Sequence, residues 1–363
     1  MAVPVTLQAW RAWADRPDPV PPARLSAAAR QALPGAEQVA YDAERLAWLS
    51  ADVVFDTEDV KALTRMVRVA TVRNRVDSVT ARRAIALSGA STLGKSTAVL
   101  HLGRRHDRAV RARQPAHPHG RDDALHPVVY VVVPAAATPK MLMHSVCQGL
   151  DLPWTTRATT QFLTDAAIDS MTALRTSMVI VDEIHNLRAN RQVGAEAATA
   201  LKLFAERLDA TFVYAGIDLP SSELFTGEFS RQITGRLVVH QMRPYTFATR
   251  TQQAVWVDLV ASCEDLLVLT RHPARSLTAH AGYLFDRTSG SLGTLRALLA
   301  DAATEAILTH TERVTRALLD ATPTDRQADD LRTARNTALP SSVGRRHAAN
   351  RATGTAGPYR SGG

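Results

Sequence analysis

The sequence predicts an α/β fold in which a mainly parallel, five-stranded sheet precedes a small helical block. Between residues 84 and 240, five short β-rich runs alternate with helical patterns, which is typical of a parallel sheet covered on both faces. After Pro244 the β-rich runs stop, and the apolar residues keep a helical spacing up to residue 320. We therefore expect a sheet domain followed by a helical domain.

Each element is predicted from its own local pattern. The strands are short and largely apolar, as buried strands are, and they cover Ala84–Ser88, Val128–Val133, Met178–Val181, Thr211–Ala215 and Leu237–His240. Helix-like spacing over residues 40–76 precedes the first strand. In the C-terminal block we predict helices over 248–268, 276–288, 291–310 and 312–320, the second of which ends at Ser289-Gly290.

Composition places these elements in four segments. We predict a flexible, Pro-rich N-terminal arm at 1–40, the sheet domain with its preceding helices at 41–246, the helical domain at 247–322 and a disordered, Arg-rich tail at 323–363. Trp10 and Trp13 leave two interpretations of the arm open: it is loosely ordered, or its tryptophans insert into a partner.

Composition and charge favour a globular protein whose folded part is nearly neutral. Apolar residues make up 45%, charged residues 21%, and the formal net charge is +8. Residues 331–363 hold six arginines and no acidic residue, so the first 330 residues carry only about +2. The chain has neither an apolar run long enough for a membrane span nor a signal-peptide pattern. We expect a cytoplasmic protein with no membrane partner, in which Cys147 and Cys263 stay reduced.

The strongest motif is a phosphate-binding loop between the first predicted strand and the helix after it. Residues 89–96 fit G-x4-G-K-[ST], where glycines let successive backbone N–H groups turn toward phosphates at a helix N-terminus. Lys95 is expected to reach the β- and γ-phosphates, and the Ser96 hydroxyl is expected to bind Mg²⁺. The predicted ATP-binding loop consists of Gly89, Ala90, Ser91, Thr92, Leu93, Gly94, Lys95, Ser96 and Thr97.

A second motif supplies two adjacent carboxylates. Asp182 and Glu183 follow the apolar run Met178–Val181, at the end of a strand where open α/β sheets bind their ligands. We predict that Asp182 holds Mg²⁺ and that Glu183 acts in catalysis by polarising the attacking water, with Lys95 on the phosphates. Kinases of the P-loop class lack this carboxylate pair, so hydrolysis is favoured over phosphate transfer to a small molecule.

Three further sites have two interpretations each. Asp218, after the fourth strand, senses the γ-phosphate or caps the helix that begins at Leu219. Arg231 or Arg236 reaches the nucleotide of a neighbouring subunit, or is a solvated surface residue. Arg296 closes onto the nucleotide from the helical domain, or lies on the surface of its own helix.

Weaker signals come from arginines and histidines. The arginines on or after the P-loop helix contact nucleic-acid phosphates or lie on a solvated face; they are Arg104, Arg105, Arg108, Arg111 and Arg113. A Pro-rich loop contains several histidines and aspartates, but it gives no rigid ligand spacing, so a solvated loop is a better interpretation than a metal site. These residues are His117, His119, His126, Asp122 and Asp123. His185 couples nucleotide state to DNA, or has a local structural role.

Together these motifs resemble the AAA+ ATPases of the P-loop class, and within them the TniB/TnsC group of transposition ATPases, over residues 40–320. The resemblance is carried by the P-loop, by Pro127–Pro134, by Ile180-Val-Asp-Glu-Ile-His-Asn-Leu187 and by Gly293-x-x-Arg296. It implies that Lys95 and Ser96 form Walker A, that Asp182 and Glu183 form Walker B, that Arg231 or Arg236 is the arginine finger, and that Arg296 is sensor 2. The chain departs from many relatives by Gly216-Ile217-Asp218 in place of Gly-Thr, and by an insertion at Gln114–Pro127.

The resemblance also implies a function. It predicts an ATP- and Mg²⁺-dependent regulator that forms a homo-oligomer on duplex DNA with low sequence specificity. Such a regulator recruits or activates a transposase and has a further transposition protein as a candidate second partner. The alternative is a nucleotide-gated signalling or defence switch of the P-loop class that acts on a protein partner.

Overall fold

The computed structural model describes residues 3–76, 82–114, 125–153, 155, 157–187, 201, 203–221, 236–325 and 330. The chain forms two compact units. The first contains described residues up to 23 and from 34 to 244, and the second contains residues 24–33 with those after 244. Most of the predicted tail at 323–363 lies outside the described residues.

The first unit is built on a five-stranded parallel sheet. β1 (Ala84–Ser88), β2 (Val128–Val132), β3 (Met178–Asp182), β4 (Thr211–Gly216) and β5 (Leu237–Gln241) lie in the order β2-β3-β4-β1-β5. The predicted strands are confirmed, and their bounds differ by at most one residue. Because β4 lies between β1 and β3, the two strands that lead into the predicted motifs flank a common neighbour.

Seven helices are described up to the third strand. They are α1 (Leu7–Ala14), α2 (Ala27–Gln31), α3 (Gly35–Leu49), α4 (Glu58–Val76), α5 (Lys95–Ala112), α6 (Pro139–Gly149) and α7 (Thr160–Ala173). Several begin at a threonine whose hydroxyl accepts a backbone N–H, as Thr6, Thr138 and Thr159 do for α1, α6 and α7. Pro139 at the first position of α6 adds a fixed backbone angle that suits a helix start.

Two apolar clusters cover the two faces of the sheet, because the side chains of a strand alternate between faces. One cluster joins Tyr130 and Ile180 to residues of α1, α4 and α5. The other joins Val131 and Val181 to residues of α6 and α7 and to Phe204. Helices on both faces of a parallel sheet are the arrangement predicted from the sequence.

The second unit is helical. After Tyr245 it contains α8 (Arg250–Glu264), α9 (Ala281–Thr288), α10 (Leu292–Leu308) and α11 (Arg316–Ala321), and it also contains α2. The predicted helical C-terminal region is confirmed. α9 ends where predicted, since Ser289 (φ 51°) and Gly290 (φ 72°) are left-handed. A Cβ at Gly290 would lie 2.2 Å from the carbonyl oxygen of Tyr245, so this position also needs glycine for packing.

The N-terminal segment is packed, although its composition suggested a loosely ordered arm. Trp10 of α1 is 1% exposed, and its indole N–H donates to Asp107 Oδ2 at 3.1 Å. Its ring lies on Gly103 of α5, where a Cβ would approach the indole to 2.8 Å. Trp10 therefore inserts into the core of its own chain. The sequence did not indicate this, because Asp107 lies 97 residues away.

Three of the five arginines considered for nucleic-acid contacts are occupied by this segment. Arg104 and Arg108 donate to the carbonyl oxygen of Ala14, at 3.3 and 2.8 Å, and both contact Asp18. Arg111 contacts Asp15 at 2.7 Å and also bonds to Asp107. These guanidinium groups hold α1, while Arg105 and Arg113 are exposed. Among the described residues, no helix is both long and apolar enough to cross a membrane.

Candidate nucleotide-binding site

The glycine loop follows β1 directly and is held against the neighbouring strands. The N–H of Gly89 donates to the carbonyl oxygen of Gly216 at the end of β4, at 3.2 Å. A Cβ at Gly89 would lie 3.0 Å from the carbonyl oxygen of Met242 and 3.1 Å from its Cβ, so a larger residue would displace the backbone. Thr92 (φ 65°) and Gly94 (φ 85°) then turn the chain through left-handed conformations into α5.

The start of α5 suits an anion. Gly94 precedes the helix and no side chain caps it, which leaves N–H groups of the first turn for an outside acceptor. Lys95 is buried, and its Nζ atom donates to the carbonyl oxygen of Ala90 at 2.7 Å. Burial lowers the pKa of Lys95, while the carboxylates of Glu183, Asp182 and Asp218 act in the opposite direction. Ser96 is half-buried and Thr97 is exposed on the same turn.

Asp182, the last residue of β3, is buried and has a donor on each carboxylate oxygen. The hydroxyl of Tyr130 donates to Oδ2 at 2.8 Å, and the backbone N–H of Glu183 donates to Oδ1 at 2.8 Å. Burial and the adjacent Asp182 carboxylate raise the pKa of Tyr130, so its hydroxyl is protonated and donates. Tyr130 did not emerge from the sequence, where it is one residue of an apolar strand.

Glu183 differs from its neighbour in exposure and in backbone shape. Its side chain is 37% exposed, and its φ of 57° is uncommon for a residue with a side chain. His185 Nε2 lies 3.4 Å from Glu183 Oε2. The N–H of Ile217 donates to His185 Nδ1 at 3.3 Å, so the imidazole proton is on Nε2, facing Glu183. His185 thus has a structural role between Glu183 and the end of β4.

The end of β4 is tied to the glycine loop. Ser88, the last residue of β1, accepts the backbone N–H of Leu219 on its hydroxyl at 3.1 Å. A Cβ at Gly216 would lie 2.8 Å from Leu219 and 3.2 Å from His185, which explains the glycine there. Asp218 (φ 45°) contributes its carbonyl oxygen to the following turn, as the acceptor of the Ser221 N–H. The Asp218 carboxylate is one of the three that favour the charged form of Lys95.

The remaining predicted residues are placed as follows. Arg236 lies directly before β5, where its side chain is 43% exposed and its guanidinium lies 3.9 Å from Glu206. Arg296 lies on α10 of the second unit, where burial lowers its pKa. Arg231 lies outside the described residues, as do His117, His119, Asp122 and Asp123. The described part of the chain contains no cluster of three His, Cys, Asp or Glu side chains that suits a metal.

The structure therefore brings the two main motifs together at the carboxyl ends of β1 and β3, the two strands that flank β4. An ammonium group and uncapped N–H groups suit phosphates, and hydroxyl and carboxylate oxygens such as those of Ser96 and Asp182 suit Mg²⁺. These residue types fit a nucleotide with its metal ion, and the sequence had identified all of them except Tyr130.

Comparisons with solved structures support the fold. The structure is similar to the Orc1 protein of Aeropyrum pernix in complex with DNA, with a TM-score of 0.52, 16% identity, and 75% of this chain and 65% of that one covered. It is also similar to Cdc6p of Pyrobaculum aerophilum, with a TM-score of 0.51, 14% identity, and 74% and 67% covered. The match spans just under two thirds of the Orc1 chain. Both neighbours are AAA+ proteins, so the predicted AAA+ form of the P-loop fold is confirmed.

Sequence comparison identifies the family. No curated protein matches the chain. The family model described as "Bacterial TniB protein" matches residues 45–245, which is more than half of the chain. This range contains the glycine loop, Tyr130, Asp182 and Glu183, and it ends at the start of the helical C-terminal region. The chain belongs to the family of bacterial TniB proteins.

Proposed function

We propose that this protein binds ATP with Mg²⁺ and hydrolyses it, and that the nucleotide controls its assembly on DNA. The observation that carries the proposal is the surroundings of Lys95. Its buried ammonium lies in a glycine loop and interacts electrostatically with the carboxylates of Glu183, Asp182 and Asp218, which favour its charged form. An ammonium among acidic groups, at an uncapped helix start, suits a ligand that brings phosphates together with a divalent cation.

Binding is assigned to residues 89–97. The N–H groups of the loop and the Lys95 ammonium hold the phosphates, and Lys95 exchanges its bond to Ala90 for phosphate oxygens. Ser96 and Asp182 are the residues that would hold Mg²⁺, which neutralises phosphate charge when it is bound. Asp218 and Arg296 are assigned to sensing the γ-phosphate.

Hydrolysis is assigned to Glu183. Its side chain is partly exposed, so it can meet a water molecule, whereas Asp182 is buried and both of its oxygens already accept hydrogen bonds. The proton on His185 Nε2 faces the Glu183 carboxylate and restricts its direction. The two adjacent acids therefore suit different tasks, one in holding the metal and one in polarising water.

Glutamine in place of Glu183 tests this assignment. Glu183→Gln keeps the size of the side chain but cannot polarise water, so ATP should bind normally and be hydrolysed about 100-fold more slowly. Asp182→Asn should instead weaken the Mg²⁺-dependent part of ATP binding. Glu44→Gln, at an exposed position of α3, serves as the control. Hydrolysis by Glu183→Gln at the wild-type rate would place the catalytic carboxylate elsewhere.

Membership of the TniB family supports a role in DNA transposition. We infer that the protein forms a homo-oligomer on duplex DNA with low sequence specificity, and recruits or activates a transposase together with a further transposition protein. In such an oligomer Arg231 or Arg236 would reach the nucleotide of the neighbouring subunit.

The outer face of α4 is the best candidate for phosphate contacts with DNA. It exposes four arginines, Arg65, Arg68, Arg73 and Arg75. None of the four forms an ion pair with another residue in the described part of the chain. The arginines of α5 are a poorer candidate, because Arg104, Arg108 and Arg111 hold the N-terminal segment.

A further inference from the structure

Among the residues that the structure describes, Tyr130 is the one side chain that donates a hydrogen bond to the Asp182 carboxylate. Two described groups donate to Asp182: the backbone N–H of Glu183, and the hydroxyl of Tyr130 on the neighbouring strand β2. Both residues are buried, with Tyr130 3% exposed. A carboxylate with one donor on each oxygen cannot rotate freely, so the direction of its remaining lone pairs is set.

Trp10 in turn covers Tyr130. The two rings are stacked, with centroids 6.0 Å apart and planes 22° apart. The indole N–H donates to Asp107, which also accepts from Arg111, and Arg111 contacts Asp15 just after α1. The first helix is thus fastened at Trp10 and at its C-terminal end. A continuous series of contacts leads from α1 through Tyr130 to Asp182.

We propose that Tyr130 is a positioning residue for Asp182 and that Trp10 holds Tyr130 in place, so that the N-terminal helix sets the Mg²⁺ affinity of the site. The proposal rests on the proposed function, in which Asp182 holds the metal ion. Groups that orient a metal ligand through a hydrogen bond contribute about 10- to 100-fold to metal affinity. Neither residue belongs to a motif of the nucleotide site, and α1 lies outside the range that the family model matches.

The test is a Mg²⁺ titration of the binding of fluorescently labelled ATP to the full chain. Tyr130→Phe keeps the ring that stacks on Trp10 and removes the hydroxyl. We expect the Mg²⁺ midpoint to rise about tenfold or more, while binding without Mg²⁺ stays as in the wild type. Tyr214→Phe is the matched control, because it removes another buried tyrosine hydroxyl from the same sheet, on the other face. This variant should keep the wild-type midpoint.

Trp10→Leu tests the second step. It should raise the Mg²⁺ midpoint by a smaller factor, and the double variant with Tyr130→Phe should match Tyr130→Phe alone, because both act through one hydroxyl. An unchanged midpoint in Tyr130→Phe, or an equal rise in Tyr214→Phe, would overturn the proposal. If the rise in the Mg²⁺ midpoint of the double variant equals the product of the two single-variant factors, the role of Trp10 is overturned. If the wild type shows no Mg²⁺-dependent binding, the proposed function itself fails.

Discussion

Lys95 closes the loop that precedes it, because its Nζ atom donates a 2.7 Å hydrogen bond to the carbonyl oxygen of Ala90. The side chain spans the loop from its second residue to the first residue of α5. Shape and positive charge in the loop therefore depend on the same residue. A change at this position should affect nucleotide binding more than it affects the fold.

We expect Lys95→Ala to bind ATP about 10- to 100-fold more weakly, since a charged hydrogen bond contributes about 1.5–3 kcal/mol. The measurement is the equilibrium dissociation constant of labelled ATP. Lys61→Ala, at an exposed lysine of α4, should bind as the wild type does. Wild-type affinity in Lys95→Ala, with normal hydrolysis, would contradict the assignment of the loop.

Mixing two inactive variants tests whether Arg236 acts on a neighbouring subunit. Arg236→Ala keeps a complete glycine loop, and Glu183→Gln keeps the arginine. If the site is shared, some interfaces in the mixture combine the intact halves, and hydrolysis should exceed that of either variant alone. The same experiment applies to Arg231. A mixture that is no more active than its components, under conditions where the wild type oligomerises, would show that the site works within one subunit.

Trp10 should contribute strongly to stability. Trp10→Ala removes a buried indole and the donor to the buried Asp107 carboxylate, so the free energy of unfolding should fall by about 3–5 kcal/mol. Denaturant unfolding followed by circular dichroism provides the measurement. Trp13→Ala is the control, because Trp13 lies three residues later in α1 and is only half-buried. Equal losses in the two variants would contradict the packing described for α1.

His106 of α5 should make stability fall in acid. Burial, together with Arg75 and Arg113, lowers the pKa of His106 to about 4 from 6.5, although Asp107 opposes the shift. The unfolded chain therefore takes up the proton more readily, so stability is complete above pH 6.5 and declines as the pH falls toward 4. The loss is at most about 3 kcal/mol. Urea unfolding at pH 7 and at pH 4.5 provides the measurement. The free energy of unfolding should change less between these pH values in His106→Gln than in the wild type, and an equal change would argue against this role.

DNA binding should depend on the nucleotide and on α4. Subunits aligned by ATP add their phosphate contacts, so affinity for duplex DNA should fall more steeply with salt in ATP than in ADP, by about 0.9 in log–log slope per phosphate. The Arg-rich segment 331–363 is present under both conditions, so the comparison is between the same chains. The double variant Arg68→Ala, Arg75→Ala should reduce the difference in salt dependence between ATP and ADP. The double variant with lysine at both positions should restore most of that difference.

The outcome also separates the two candidate functions. If binding to duplex DNA is equally weak with ATP, ADP and no nucleotide at low salt, the transposition role loses its physical basis. A nucleotide-gated switch that acts on a protein partner would then explain the site better. Equal loss of binding in the alanine and lysine variants would instead mean that the α4 arginines have a structural role.

The strands and the main site residues could be predicted because their signals are local. The glycine loop and the Asp182-Glu183 pair are each contiguous in sequence and follow an apolar strand, which places them at the carboxyl edge of the sheet. The signals for the strand bounds are also local, since each strand is an apolar run that ends at polar residues.

The supporting residues could not be predicted, because their partners are distant. Tyr130 meets Asp182 only because β2 and β3 pair, and those residues are 52 positions apart. Trp10 is buried because Gly103 leaves room for its ring, which composition cannot reveal. Neither interpretation of the α5 arginines, nucleic-acid contact or a solvated face, included the contacts of Arg104, Arg108 and Arg111, because the segment that they hold lies far away in the sequence.

The membership of α2 in the second unit has a consequence for how the protein is made. Arg24 bonds to the carbonyl oxygen of Asp265, and Arg30 lies 3.7 Å from the buried Glu312, so residues 24–33 belong with helices at the other end of the chain. During synthesis these residues leave the ribosome long before their partners. The second unit can complete its folding only after nearly the whole chain has been translated, and a fragment that begins at residue 245 lacks one of its own pieces.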